Sequence, residues 1–511
     1  MLPRFGQFGR RLNFRGCNFR RLRFRRDLLR SARRPAFTLV EMLVTIAVTL
    51  VVMLALVNVF EWIGERVASG RAIIEVSGNL RNGGLRLQND LDSLTVPVRP
   101  FPRPEQGDGY FEYIEGLLTD RNSGASSIQG DTDDVLCTTA RNSIEQFVGR
   151  YTTVATGTVR IVSPEAEIVW WSQFTDLNDN GAFDPDELMS RSLMRRTLLV
   201  RPDLNNAASG YWITLPQAFA PAMTSYNVNN QADLQLLAQH MRQLYNEFDV
   251  SVRIVRQLSG TSLTLRIVAN SLADLTRREN RWLRHPMVYL VGGNYSLAPP
   301  PSLPYALDQF PNSMTRLELI PLNGLRRGED VILSNVLGFD IRAYDPTVLV
   351  WGNGGLGIHP TELGWVPLQA VASPVGRGGF VDLHYSRLFP AVGSGLPNEW
   401  TAAAASTFSD APATKSRLTA AGVSPSYDTW SFHYEQNGVD DDQPFGDANG
   451  IDQGTNGIDD DGAAGTDDPG ERETSPPYPV PLRGLEVVIR LYEPDTRQVR
   501  QTSVKTEFVP E

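Results

Sequence analysis

Cysteine is nearly absent: Cys17 and Cys137 are the only two in 511 residues. That excludes a disulfide-stapled scaffold and any cysteine-rich zinc module. Histidine is scarce as well. His240, His285, His359, His384 and His433 stand isolated, and neither H-E-x-x-H nor G-x-S-x-G occurs. They read as structural or exposed residues, so catalysis is not expected of this chain. Basic charge is thin outside the N-terminus. Residues 1–36 hold twelve arginines and one acid, Asp27, a net of +11, so the formal −10 of the whole leaves −21 on the other 475 residues. A nucleic-acid-binding body is disfavoured, because that charge repels phosphate. Such asymmetry marks a differently placed or detachable N-terminal segment. The 41% hydrophobic content and nine tryptophans oppose overall disorder.

Long apolar runs are also missing, with one exception. Residues 37–60, FTLVEMLVTIAVTLVVMLALVNVF, are 24 residues with a single charge, Glu41. As a helix they span about 36 Å, enough to cross a hydrocarbon core of about 30 Å. The arginine-rich flank precedes the run, so the positive-inside rule keeps residues 1–36 in the cytoplasm and places the body outside an inner membrane, on one span. A cleaved secretory signal would have a shorter run with a small-x-small site after it; here the small residue, Ala36, comes before. A carboxylate four residues into the span is costly unless partnered. A cut after Ala36 would create an α-amino group on Phe37, and Glu41 could neutralise that charge on a stacked neighbour. The plain alternative is a single-span anchor with Glu41 at the interface.

The stretch RRPAFTLVEMLVTIAVTLVV resembles the type IV prepilin cleavage and methylation motif. Ala36 stands where the family usually has Gly, which keeps the residue small. The resemblance implies cleavage between Ala36 and Phe37 by a prepilin peptidase, N-methylation of Phe37, and assembly with other pilins in which Glu41 is the family's fifth-position glutamate. Partners are therefore the peptidase, other pilins or pseudopilins, and the membrane.

Helical spacing continues through Trp62, Val67, Ile74, Leu80, Leu87, Leu91 and Leu94, and Pro97 ends it. The spacing predicts one helix over 37–95, apolar in its first half and amphipathic in its second, despite Gly64, Gly70, Gly78, Gly83 and Gly84. Strands are expected over 133–138, 159–171 and 192–200, a helix over 231–248, a hairpin of 249–256 with 262–269, and a charged surface helix over 271–284. LGFDIRAYDP (337–346) is echoed by LEVVIRLYEP (485–494), either by duplication or by convergence of strands ending in an acidic-Pro turn. A further strand over 499–508 makes a C-terminal hairpin. The predicted class is α+β: a pilin-like helix on a β-sheet head with a large loop-rich insertion. The divisions are a leader (1–36), a membrane and assembly helix (37–60), an amphipathic helix (61–96), a head (97–346), an acidic insertion (347–480) and the hairpin (481–511). Helix-then-sheet order with the 167–171 and 192–200 strands resembles the J-class minor pseudopilins of type II secretion systems, at roughly twice the expected length.

Two acidic regions invite calcium. DLNDNGAFDPDE (176–187) places Asp176, Asn178, Asn180, the Ala182 carbonyl, Asp184 and Glu187 at positions 1, 3, 5, 7, 9 and 12 of a twelve-residue loop, with Gly181 at its turn. The competing reading is a polar hairpin loop without metal. Residues 437–473 carry twelve acids and one base and repeat N-G-[VI]-D, with Asp440, Asp452, Asp459 and Asp461 as candidate ligands; a solvated acidic loop reads equally well. Gly352–Gly357 matches G-x-G-x-x-G, but His359-Pro360 follows where a helix should start, so a flexible loop is expected rather than a dinucleotide site. The favoured function is a minor pilin or pseudopilin near a filament tip; the alternatives are an adhesion subunit of a type IV pilus and an anchored ectodomain that does not assemble.

Overall fold

The computed structural model describes residues 38–98, 106–114, 130–132, 134–153, 157–173, 191–206, 212–213, 225–227, 229–259, 262–277, 280–284, 288–291, 294–297, 322, 324–353, 356–358, 374–383, 426–429, 457–459, 465–466, 482–494 and 496–508. The class is α+β, as predicted. Two compact units divide the chain after Val67.

The first long element is α1, Leu39–Asp92, unbroken over 54 residues. In the first unit its residues are exposed, Leu39 to Val67 included. In the second unit the expected packing starts later than the sequence stripe suggested. Ile74 is still 74% exposed, and burial begins near Val76 and runs through Leu80, Leu87 and Leu91. Two glycines explain how this turn comes so close to its neighbours. A Cβ on Gly83 would lie 2.9 Å from Leu333 Cδ1, and one on Gly84 3.4 Å from Val504 Cγ2. Of the helix glycines, Gly83 and Gly84 are thus part of the contact surface of the packed segment.

Six strands follow: β1 (Phe111–Ile114), β2 (Val135–Arg141), β3 (Phe147–Thr153), β4 (Gly157–Ser163), β5 (Glu165–Gln173) and β6 (Ser192–Leu199). The single strand expected over 159–171 is instead two, broken at Pro164. Proline has no N–H to give a ladder, and its carbonyl accepts from Asn142 N at 2.8 Å. Strand β4 then pairs with β3, while β5 pairs with β2 and β6. Helix α2 (Gln231–Glu247) starts at Asn230, whose side chain accepts from the Ala232 amide, a polar side chain capping free helix donors. The hairpin of β7 (Val252–Ser259) and β8 (Ser262–Ala269) closes Ser259 onto Ser262, close to the expected bounds. The described residues of 271–284 do not form one surface helix. Among them only Leu272–Leu275 is α-helical, capped by Ser271 and Asp274, with a 3-10 turn at Trp282–Arg284, and Arg281 and Trp282 are buried.

Further along the head come β9 (Val331–Ser334), β10 (Val336–Asn353), β11 (Leu356–Ile358), β12 (Pro374–Val381), β13 (Ser426–Asp428), β14 (Gly484–Glu493) and β15 (Gln498–Glu507). One antiparallel sheet runs β9-β6-β5-β2-β1-β13; another runs β11-β10-β14-β15, with β12 also on β10. The two echo segments are partners: Ile341 opposes Val487 and Ala343 opposes Leu485 in the β10–β14 ladder. Strand β10 passes through residue 346, and β13, from within 347–480, pairs with β1.

The six-stranded sheet is buried on both faces. Val135, Cys137, Val169, Trp171 and Met194 pack with α2, β7 and β8. Their neighbours Leu136, Ile168, Trp170 and Leu193 pack with the C-terminal turns of α1 and the second sheet. Successive side chains point to opposite faces. A one-sided antiparallel sheet would alternate buried and exposed positions, whereas β2 is buried from Val135 to Ala140 and β5 from Ala166 to Trp171 without a break.

Candidate functional site

The first candidate site is the start of α1. Thr38 and Glu41 form a reciprocal cap: the Thr38 amide and hydroxyl donate to Glu41 Oε2 at 2.9 and 3.0 Å, and the Glu41 amide donates to Thr38 Oγ1 at 3.2 Å. This is the capping-box pattern, which satisfies donors that a helix start leaves free. Glu41 therefore has a local partner besides any supplied by a neighbouring subunit, and Thr38 is a member that sequence reading missed. The signal for it was present in Thr-x-x-Glu just before an apolar run. Ala36 and Phe37 lie outside the described residues. Beyond Glu41 the helix surface is apolar and exposed, from Met42 to Phe60. It is the one helix among the described residues long and apolar enough to cross a membrane.

Further along α1, Asp90 is 5% exposed and fastens the helix to the sheet. Its carboxylate accepts from Arg195 Nε at 2.7 Å, Arg195 Nη2 at 2.8 Å and the Trp170 indole N–H at 2.8 Å. Trp170 and Arg195 oppose each other across β5 and β6, so one carboxylate closes onto a cross-strand pair. Sequence reading missed Asp90 because it was sought among apolar stripe positions; it sits one turn after Leu87.

A second polar cluster lies wholly inside the head. Arg281 Nη1 donates to Glu112 Oε2 at 3.0 Å and to both Asp428 carboxylate oxygens at 2.9 and 3.0 Å. Its remaining donors meet the Leu275 and Thr276 carbonyls, and its guanidinium lies 4.1 Å from the Tyr110 ring centroid. Beside it, Glu167 accepts from Tyr110 Oη and the Trp282 amide at 2.8 Å, and from Ser251 Oγ at 2.6 Å. Burial pushes the Glu167 carboxyl above its usual range, against the lowering pull of these hydrogen bonds and of Arg281. Burial also lowers the His240 imidazole, whose Nδ1 meets Tyr226 Oη at 2.7 Å. These groups spend their hydrogen bonds on one another, and their plain role is to tie β1, β13 and the 271–284 segment together.

The acidic candidates are mostly outside the described residues. That holds for Asp176, Asn178, Asn180, Ala182, Asp184 and Glu187, and for Asp440, Asp452 and Asp461. Asp459 is described and exposed, next to Gly457 at φ 86°, the left-handed turn that an Asn-Gly pair favours. Among the described residues no three His, Cys, Asp or Glu side chains gather for a metal ion. Of the G-x-G-x-x-G stretch, Gly352, Asn353, Leu356 and Gly357 are described; they are strand residues, with Gly352 facing Gly357 in the β10–β11 ladder, and no helix start that could hold a pyrophosphate lies among them. Cys137 is buried, as expected.

Residues 32–57 match the prokaryotic N-terminal methylation motif. The matched stretch contains Ala36, Phe37, the Thr38–Glu41 cap and the first turns of α1. It supports a type IV prepilin-like protein, processed by prepilin peptidase and assembled with other pilins. With its long apolar helix, the chain fits a membrane-anchored protein. No curated protein and no solved structure matches the chain significantly.

Proposed function

We propose that the chain is a minor pilin or pseudopilin: a non-enzymatic structural subunit cut between Ala36 and Phe37, methylated on Phe37, and built into a filament through the exposed apolar face of α1. The motif over residues 32–57 carries this reading. The leader stays on the cytoplasmic side of the inner membrane and the head is extracytoplasmic. A head of this size suits a tip better than a shaft, where it would collide with neighbours. The type II secretion pseudopilus is the favoured filament, with the J-class minor pseudopilins as the nearest kind; an adhesive type IV pilus is the second reading, in which the 347–480 region meets a surface. Calcium on Asp176–Glu187 would stiffen the loop after β5, and the acidic tract around Asp440, Asp452, Asp459 and Asp461 would be a second calcium-dependent region. N-terminal sequencing of the mature protein tests the proposal. It should read Phe-Thr-Leu-Val-Glu, with the first residue methylated, and a strain lacking the peptidase should accumulate the longer form. An identical band in both strains would refute it.

A further inference from the structure

On the head, where α1, β3, β4 and β6 meet the segment before β9, there is a cavity of about 580 Å³. That lies in the range of small-ligand sites. Six arginines line it: Arg86, Arg150, Arg160, Arg195, Arg196 and Arg326, against the carboxyl groups of Asp249, Glu329 and Asp330. The body around them carries a large negative charge, so this concentration of guanidinium is local and specific.

Most of these arginines are accounted for. Arg195 is held by Asp90 at 2.7 Å. Arg196 and Arg326 share Asp249, at 3.2 and 2.8 Å, and also bind carbonyls at the C-terminal end of α2 (Phe248 and Asn246 at 3.1 Å). Arg150 reaches Glu329 at 2.7 Å. Arg86 and Arg160 remain, and neither forms a hydrogen bond or ion pair with a described residue. Arg160 also faces Arg150 directly in the β3–β4 ladder. Like charges opposite each other on a hairpin destabilise it; Glu329 offsets the charge of Arg150, and among the described residues no carboxylate pairs with Arg160.

We propose that this cavity binds a phosphate group, with Arg86 and Arg160 as its principal ligands and Arg150 assisting from across the hairpin. Two guanidinium groups with no ion pair among the described residues match a dianion, and the planar donor fork of arginine suits phosphate oxygens. The paired arginines behind them supply a fixed positive wall. One electrostatic feature agrees. Burial and the nearby Arg195 lower the Arg86 guanidinium, partly offset by Asp90, so an anion would relieve its isolation. Burial also raises the Asp330 carboxyl, against the lowering pull of the Leu322 amide and of Arg196 and Arg326.

The test is titration calorimetry of inorganic phosphate into the full chain in neutral detergent. Saturable one-site binding is expected, weakened at least 10-fold by Arg86→Gln and by Arg160→Gln, and unchanged by Arg141→Gln, which alters an exposed arginine outside the cavity. Arg160→Gln should also raise the melting temperature in phosphate-free buffer, because it removes the facing like charge. Displacement of phosphate by glycerol phosphate would identify a soluble ester as occupant, and displacement by phosphatidic acid micelles alone a lipid headgroup; either supports the site. Absence of saturable heat in the wild type, or equal weakening in Arg141→Gln, would overturn it.

Discussion

Replacing Asp90 with Ala tests how α1 is attached to the head. The substitution removes one carboxylate and orphans three donors: Arg195 Nε, Arg195 Nη2 and the Trp170 indole N–H. Both ionic side chains are under a tenth exposed. Removing one partner of a buried pair costs about 3–5 kcal/mol, because the other charge stays buried without compensation. The orphaned indole overlaps with that loss and does not add to it independently. At about 2 °C per kcal/mol for a large domain, the melting temperature should fall by about 6–10 °C. The assay is calorimetric or fluorescence-monitored melting of the full chain in detergent, with Trp170 emission reporting the junction. The double variant Asp90→Leu, Arg195→Leu removes both charges and should lose less than Asp90→Ala alone, since the buried-charge penalty disappears. The reasoning fails if Asp90→Ala melts within about 1 °C of wild type, or if the double variant loses the sum of the two single effects.

Other expectations follow from the same physics. Glu167 has a raised carboxyl pKa in the fold, so its contribution is fully present below the ordinary Glu value of 4.5 and is lost as pH rises through the raised one. Glu167→Gln should therefore gain in melting temperature relative to wild type as pH rises from 4.5 to 8; a pH-independent difference would contradict this. At Gly83, the Cβ of Ala would meet Leu333 at 2.9 Å, so Gly83→Val should destabilise by about 1–3 kcal/mol through overpacking, while Gly70→Ala, with open space around it, should be neutral or stabilising; equal melting losses would refute the close-approach reading. Glu41→Lys should leave membrane insertion intact and abolish filament incorporation, read by fractionation and shearing; normal incorporation would remove Glu41 from assembly. Calcium titrated into the full chain should bind with Kd near 10⁻⁴–10⁻³ M, roughly the range of extracellular modules, and Asp176→Ala should abolish that heat; an unchanged isotherm would leave the loop metal-free.

The amino-acid sequence alone determined the parts whose physics is local. One uninterrupted apolar run behind twelve arginines specified a long apolar helix that fits a membrane anchor, because its length matches the thickness of a bilayer. The stripe of Leu234, Leu237, Met241 and Leu244 specified α2, and the run around Ser259-Gly260 specified a hairpin, because neighbouring residues settle both. Tertiary structure decided what depends on distant partners. The echo at 337–346 and 485–494 carried no information about pairing, and the ladder sets the two copies side by side. Residues 271–284 looked like a charged surface helix until Arg281 met Glu112 and Asp428, about 150 positions away on either side, in a site where a buried guanidinium must find carboxylates. The stripe beginning at Trp62 predicted packing throughout, yet only the turns from Val76 onward are covered. Asp90 fits no local rule: a carboxylate on a helix is ordinary until Arg195 and Trp170 close over it. Period and propensity act over a few residues, whereas burial of charge is decided by which strands the whole chain brings together.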